Sequence, residues 1–166
     1  MALILFGDKE IKTNGELPEI GYVAPDFYLR NVQMQNMGLK NFKNERLILN
    51  VFPSIDTNTC ATSVRKFNTL AASLPNTKVL CISRDLPMAQ KRFCGAEGIE
   101  NVIMLSDFQY GSFGEAYGLT IEEGPFEGLH ARAVIVLNEK HEVLYTELVS
   151  IIGNEPNYDE AIKALQ

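Results

Sequence analysis

"RLILNVFPSIDTNTCATSVRKFNTLAASL", residues 46–74, holds the transition on which the fold turns. Its first seven residues are an apolar, branched run closed by Pro53, the pattern of a buried strand. From Cys60 onward, Val64, Phe67, Leu70 and Leu74 recur at helical spacing, and Pro75-Asn76 stops the helix. Between the two lies a short set of loop-formers. One cysteine therefore stands where a strand gives way to the first turn of a helix. A buried small hydrophobe is the plain reading of such a residue, because free cysteine is among the most buried residue types. A reactive thiolate is the other.

The same alternation continues downstream. "KVLCISRD" is a second buried strand, and "PMAQKRFCGAEG" a short helix that opens on Pro87 and ends in glycines. "NVIML" is a third strand. A Gly- and aromatic-rich segment follows, with a short helix near Phe113 to Tyr117. "ARAVIVLN" and "EVLYTELVS" form a hairpin about Glu139-Lys140-His141, and "NYDEAIKALQ" ends the sequence as an amphipathic helix. Upstream, "LILFGDKEIKT" alternates around Gly7-Asp8 as a small hairpin, and "NGELPEIGYVAPDF" is a connecting stretch. Strand–helix–strand units favour parallel pairing with right-handed crossovers, and the late hairpin adds an antiparallel edge. The expected fold is a thioredoxin-like α/β sandwich: a central mixed β-sheet flanked by helices, with an N-terminal β-hairpin.

Composition bounds the function. The 166 residues suit one domain spanning 1–166, large enough to bury a core without staples. The net charge of -6 argues against nucleic acid or an anionic membrane surface as a partner. No apolar run approaches a signal h-region or a membrane span, and the three cysteines, an odd number, suit a reducing compartment. A cytoplasmic protein is expected.

Cys60 then sits at the carboxyl end of a central strand, the edge of an open α/β sheet where ligands bind. A helix N-terminus offers unpaired N–H groups and a positive dipole end, which favour a thiolate. Thr57, three residues earlier, is placed to cap the helix and to reach the sulfur or a bound oxygen; a cap alone is the simpler reading. Pro53 ends the strand and can shield the sulfur. Asp56, which would oppose a thiolate, is expected to point to solvent, as are Arg65 and Lys66. Arg132 opens an apolar strand, where a charge needs a partner; it either reaches the thiolate across the sheet or lies in solvent at the strand edge. His141 is expected in a solvated turn and His130 at the surface. Cys81, amid apolar residues, reads as an inert buried thiol, with a resolving role as the alternative.

"NVFPSIDTNTCATSVRKFN" closely resembles the active-site segment of the thiol peroxidase subfamily of peroxiredoxins, the atypical two-cysteine type. The pattern Pro-x-x-x-Thr-x-x-Cys falls on Pro53, Thr57 and Cys60. "APDFYLRN", "LPMAQKRFC" and "GLHARAVIVLNE" resemble further segments of the subfamily, in its order and spacing, over nearly the whole chain. The resemblance implies that Cys60 is the peroxidatic cysteine and becomes a sulfenic acid. It implies that Thr57 and Arg132 hold the peroxide oxygens and that Cys94 resolves the sulfenic acid as an intramolecular disulfide. It further implies reduction by thioredoxin, hydrogen peroxide and organic hydroperoxides as substrates, a homodimer, an antioxidant role, and no cofactor or metal. Two fully formed helices would hold the sulfurs of Cys60 and Cys94 too far apart to bond, so local unwinding around both is expected.

Three other readings stand beside this one. A thioredoxin-type reductase would want Cys-x-x-Cys at the helix start, and the first turn has one cysteine. A cysteine hydrolase would need His130 or His141 as a base near Cys60. A zinc site on Cys60, Cys81 and Cys94 lacks the close cysteine pairs of structural zinc.

Overall fold

The computed structural model describes residues 1–166. Its three central strands are those the apolar runs predict: β5 (Arg46–Val51), β6 (Thr77–Ser83) and β7 (Ile103–Ser106), paired in parallel. Each is followed by a helix: α1 (Asn58–Ala71), α2 (Pro87–Glu97) and the short α3 (Ser112–Ala116). β8 (Ala133–Leu137) lies antiparallel against β5, and β9 (Val143–Leu148) antiparallel against β8, as the late hairpin predicts. Asn138 shapes that hairpin by accepting the N–H groups of Lys140 and Glu142 on its side-chain oxygen. α4 (Tyr158–Lys163) follows, capped by Asn157. The N-terminal hairpin pairs β1 (Leu3–Phe6) with β2 (Lys9–Lys12) as a separate two-stranded sheet.

The large sheet is longer than the sequence pattern indicates. β3 (Leu29–Arg30) and β4 (Asn36–Met37) extend it beyond β7, giving the order β4-β3-β7-β6-β5-β8-β9. Strands of two residues carry no readable alternation. What builds them is a turn: Asn31 accepts the N–H groups of Gln33 and Gln35 on its side-chain oxygen, and Met34 adopts the left-handed φ of 65°.

The sheet has apolar matter on both faces, so the central strands show little polar alternation. Leu47, Leu49 and Val51 of β5 join one apolar cluster with Ala133, Ile135 and Leu137 of β8. Their neighbours Ile48, Val134 and Val136 point into a second, which α1 covers with Cys60, Val64 and Phe67. Each fully buried Leu, Ile, Val or Phe among them contributes roughly 1.5–3 kcal/mol. Leu70 and Leu74 of the predicted stripe are only partly buried at the edge of that second cluster. The consequence for the site is positional: the packing of α1 on the sheet sets its first turn at the carboxyl end of β5.

Candidate active site

β5 ends at Val51 and the chain turns through Phe52 and Pro53, both buried. Thr57 then takes an extended backbone and caps α1, its hydroxyl oxygen accepting the N–H of Cys60 at 3.3 Å. That hydroxyl donates in turn to the carbonyl of Ser54. Cys60 is therefore the third residue of α1, in the turn where backbone N–H groups lack partners. Ser63, one turn on, is buried and donates its hydroxyl to the Cys60 carbonyl at 2.8 Å. Ser63 also accepts from the Asn50 amide at 3.2 Å, which ties the Cys60 turn to β5 near its carboxyl end.

Arg132 reaches this turn from 72 residues away. It precedes β8, is 2 % exposed, and donates from Nη2 to Cys60 Sγ at 3.3 Å. Nε donates to the Ile152 carbonyl at 3.0 Å, which fixes the plane of the guanidinium. Nη1 is buried with no partner. The guanidinium thus sets a fixed positive charge directly against the Cys60 sulfur. Asp56, the awkward neighbour, is exposed. Arg65 and Lys66 also face outward, in ion pairs with Glu97 and Glu155.

A cleft of about 340 Å³ opens beside the guanidinium, lined by Thr57, Arg132, Phe6, Phe126, Ile151 and Ile152 among others. Cys60 is itself fully enclosed; Arg132 lines the cleft and touches the sulfur, and so joins the two. Within the aromatic segment, Phe126 faces this cleft while Phe113 and Tyr117 are buried in the core. A larger cleft of about 810 Å³ lies along α1 and α4, with no cysteine in its walls.

The three cysteines are free thiols with different surroundings. Cys81 is fully buried on β6, its sulfur accepting a hydrogen bond from the Asn50 amide at 3.7 Å, and burial above all pushes its thiol up to about 12. At pH 8 about one such thiol in 10⁴ is ionised. Iodoacetamide at that pH is expected to leave Cys81 unmodified in the native protein, with labelling only after denaturation; tryptic mapping by mass spectrometry checks this. Cys94 lies in α2, half-buried, with burial again raising its thiol. It packs against the same apolar cluster as Cys60 but lines a different cavity, beside Lys91, Val102 and Met104. The site thus brings together Cys60, Thr57 and Arg132, with Pro53 buried in the turn that leads to them, and leaves Cys94 in a helix of its own.

The surface expectation for His130 is corrected, while His141 stands in the hairpin turn as expected but is only partly solvated. His130 is fully buried, not at the surface: Nε2 meets Asp107 Oδ2 at 2.8 Å and the ring packs by Phe113. The same carboxylate accepts the N–H groups of Phe113 and Gly114, so a β7-end aspartate draws the imidazole inward. Gly114 has no room for a Cβ there, with Thr120 Oγ1 at 2.5 Å and the His130 ring at 3.0 Å. His141 is half-buried, its Nε2 on the Phe42 carbonyl at 3.0 Å. Both rings are held by partners other than Cys60, which leaves a hydrolase without its base. No three His, Cys, Asp or Glu side chains gather as a metal-ligand cluster, and no helix is long and apolar enough to cross a membrane.

Residues 19–162 match the Redoxin family model. The chain is 52% identical over 165 residues to a thiol peroxidase of Corynebacterium glutamicum, covering 99% of each protein. It is 51% identical, with the same coverage, to a thiol peroxidase of Mycobacterium tuberculosis. Among solved structures, a peroxiredoxin-like protein from Aquifex aeolicus superposes with a TM-score of 0.93 at 34% identity, over 99% of this chain and 96% of that one. A thiol peroxidase from Chromobacterium violaceum gives 0.91 at 25% identity, over 99% and 95%.

Proposed function

Because this chain belongs to the redoxin family, as one of its thiol peroxidases, we propose that Cys60 is the peroxidatic nucleophile of the enzyme. The observation that carries this is the Arg132 guanidinium on the Cys60 sulfur, in the turn that Thr57 caps. The thiolate attacks the terminal oxygen of a hydroperoxide, and the O–O bond breaks. Sulfur is oxidised by two electrons to the sulfenic acid, and the leaving alkoxide or hydroxide takes a proton to become alcohol or water. The unpartnered Arg132 Nη1 is a donor available to a peroxide oxygen as charge develops on it. Thr57 lines the same cleft and offers its hydroxyl. Pro53, buried where the chain leaves β5, helps keep bulk water from the sulfur. Phe6, Phe126, Ile151 and Ile152 give the cleft an apolar wall suited to an alkyl hydroperoxide as well as hydrogen peroxide.

Cys94 serves as the resolving cysteine. Its thiol condenses with the sulfenic acid, forming the S–S bond and releasing water, and a dithiol reductant such as thioredoxin then takes up the disulfide. Both helices are formed in the reduced chain, so resolution requires both to unwind locally. Burial keeps Cys94 a neutral thiol while α2 is intact; unwinding exposes it, removes that burial and frees it to ionise. Thioredoxin as donor, the homodimer, the single-domain organisation and a cytoplasmic setting for antioxidant defence rest on the family resemblance.

A coupled assay with thioredoxin, thioredoxin reductase and NADPH tests the cycle, comparing hydrogen peroxide with an alkyl hydroperoxide. Wild type is expected to consume NADPH with both. Cys94→Ser is expected to retain one oxidation per chain but no thioredoxin-driven turnover, with sulfenic acid or its over-oxidised forms at Cys60 by mass spectrometry. A Cys60–Cys81 bridge as the main product in wild type would overturn the resolving assignment.

A further inference from the structure

One carboxylate ties the loop that leads into α1 to the turn that leads into α2. Asp85 lies in that turn, between β6 and Pro87. Its Oδ1 accepts the Ser54 hydroxyl at 2.7 Å, and its Oδ2 accepts the Ile55 N–H at 2.9 Å and the Ser83 hydroxyl at 2.5 Å. Its backbone carbonyl accepts the hydroxyl of Ser106 at the end of β7. On the loop side, the Ser54 carbonyl accepts both the N–H and the hydroxyl of Thr57, the residue that caps the Cys60 helix. On the other side, Gln90 of α2 is fully buried and donates to Ser83 Oγ at 3.3 Å and to the Leu105 carbonyl at 3.0 Å. A continuous chain of hydrogen bonds thus runs from the cap of the Cys60 helix, through Asp85, into the helix that carries Cys94.

We propose that Asp85 is a positioning residue that latches the Cys60 loop to the Cys94 helix, so that the two segments open together and stay closed together. The proposal rests on the reading that these cysteines combine in a disulfide. Two segments without shared bonds would fray independently, each set by its own packing. Here the loop's two donors and the α2-side Ser83 converge on one charge, and hydrogen bonds to a charged acceptor are about twice as strong as neutral ones. Opening either side strands that charge and weakens the other. The latch therefore favours the closed state in which Thr57 and Arg132 frame Cys60, and opposes the open state that resolution needs. The two chemical steps are thereby pushed in opposite directions.

Hydrogen exchange of the reduced chain, read by mass spectrometry, compares wild type with Asp85→Ala and Ser54→Ala. In Asp85→Ala, which removes all three bonds to the carboxylate, amides of residues 54–62 and of residues 87–95 are expected to exchange at least roughly tenfold faster, the scale of a single charge-assisted bond. Amides of α4 are expected to be unchanged. Ser54→Ala is expected to speed both segments by a smaller factor, and the double variant to add little to Asp85→Ala, as for residues in one network. Rapid quench after one equivalent of hydrogen peroxide is expected to show slower oxidation of Cys60 and faster Cys60–Cys94 disulfide formation in Asp85→Ala. Faster exchange confined to residues 54–57, with 87–95 as in wild type, would overturn the latch, as would slowing of both steps together. If wild type forms no Cys60–Cys94 disulfide, the resolving assignment fails, and the exchange pattern still decides the latch. If Asp85→Ala does not fold, Ser54→Ala decides it by the same pattern.

Discussion

Cys60→Ser is expected to abolish hydroperoxide reduction, lowering kcat/KM by at least ~10⁴-fold, the scale on which removal of a nucleophile acts. Serine has nearly the shape of cysteine, so the enclosed site and the fold should survive. What changes is the attacking atom. A hydroxyl is not deprotonated at neutral pH by one guanidinium and the start of a helix, and a neutral hydroxyl is a far weaker nucleophile toward a peroxide oxygen. Stopped-flow consumption of hydrogen peroxide and of an alkyl hydroperoxide, together with circular dichroism, would separate lost chemistry from lost structure. Retained turnover in a folded Cys60→Ser protein would remove the proposed nucleophile, whatever the role of Cys94. Cys81→Ser is the matching control. That sulfur lies on the sheet and is hydrogen-bonded by the Asn50 amide, not by Arg132, and the variant is expected to keep the wild-type rate.

Arg132→Met carries the second large effect. The substitution keeps an unbranched chain in the buried position but removes the cation and two hydrogen bonds, to Cys60 Sγ and to the Ile152 carbonyl. Loss of one donor aimed at developing charge in an enclosed site costs about 10²–10³-fold in rate. Here the same group also holds the attacking sulfur, so at least that loss in kcat/KM is expected. Arg132→Lys discriminates charge from geometry. An ammonium keeps the charge, but it lacks the planar fork that lets Arg132 grip Ile152 and face the sulfur at once. An intermediate rate is therefore expected for lysine. A lysine variant equal to wild type would mean that charge alone suffices; a methionine variant equal to wild type would sink the role of Arg132. Leaving the Ile152 carbonyl without its donor costs about 1–3 kcal/mol if no water replaces it, so thermal melts belong beside the kinetics.

Much of the architecture was legible because its causes are local. Strands buried on both faces read as near-continuous apolar runs, and the parallel β5, β6 and β7 and the antiparallel β8 all do. α2 could be bounded from Pro87 in its first turn and from the glycines that end it. Gly98 closes it in the left-handed region, at φ 66°, and sends its N–H to the Cys94 carbonyl. The two extra strands, β3 and β4, could not be read, because two residues make no period. His130 was misplaced for a different reason. Nothing beside it in the chain says it is buried; its partner Asp107 is 23 residues away. Nothing in the sequence singles out Asp85, because an acidic residue in a turn reads as solvated and its partners Ser54 and Ile55 belong to another loop.

The residues of one strand–turn–helix passage, taken alone, determine that a thiol stands in the first turn of α1 behind a threonine cap, since backbone geometry over six or seven residues is set by those residues. Whether that thiol is another Cys81 is decided only by the closed sheet. β8 pairs with β5 in a register that sets Ala133 opposite Val51, and so brings the residue before it, Arg132, to the mouth of that turn. Both sulfurs are fully buried, yet one meets an amide and the other a guanidinium. Charge placement across 72 residues depends on strand order, which no local pattern encodes.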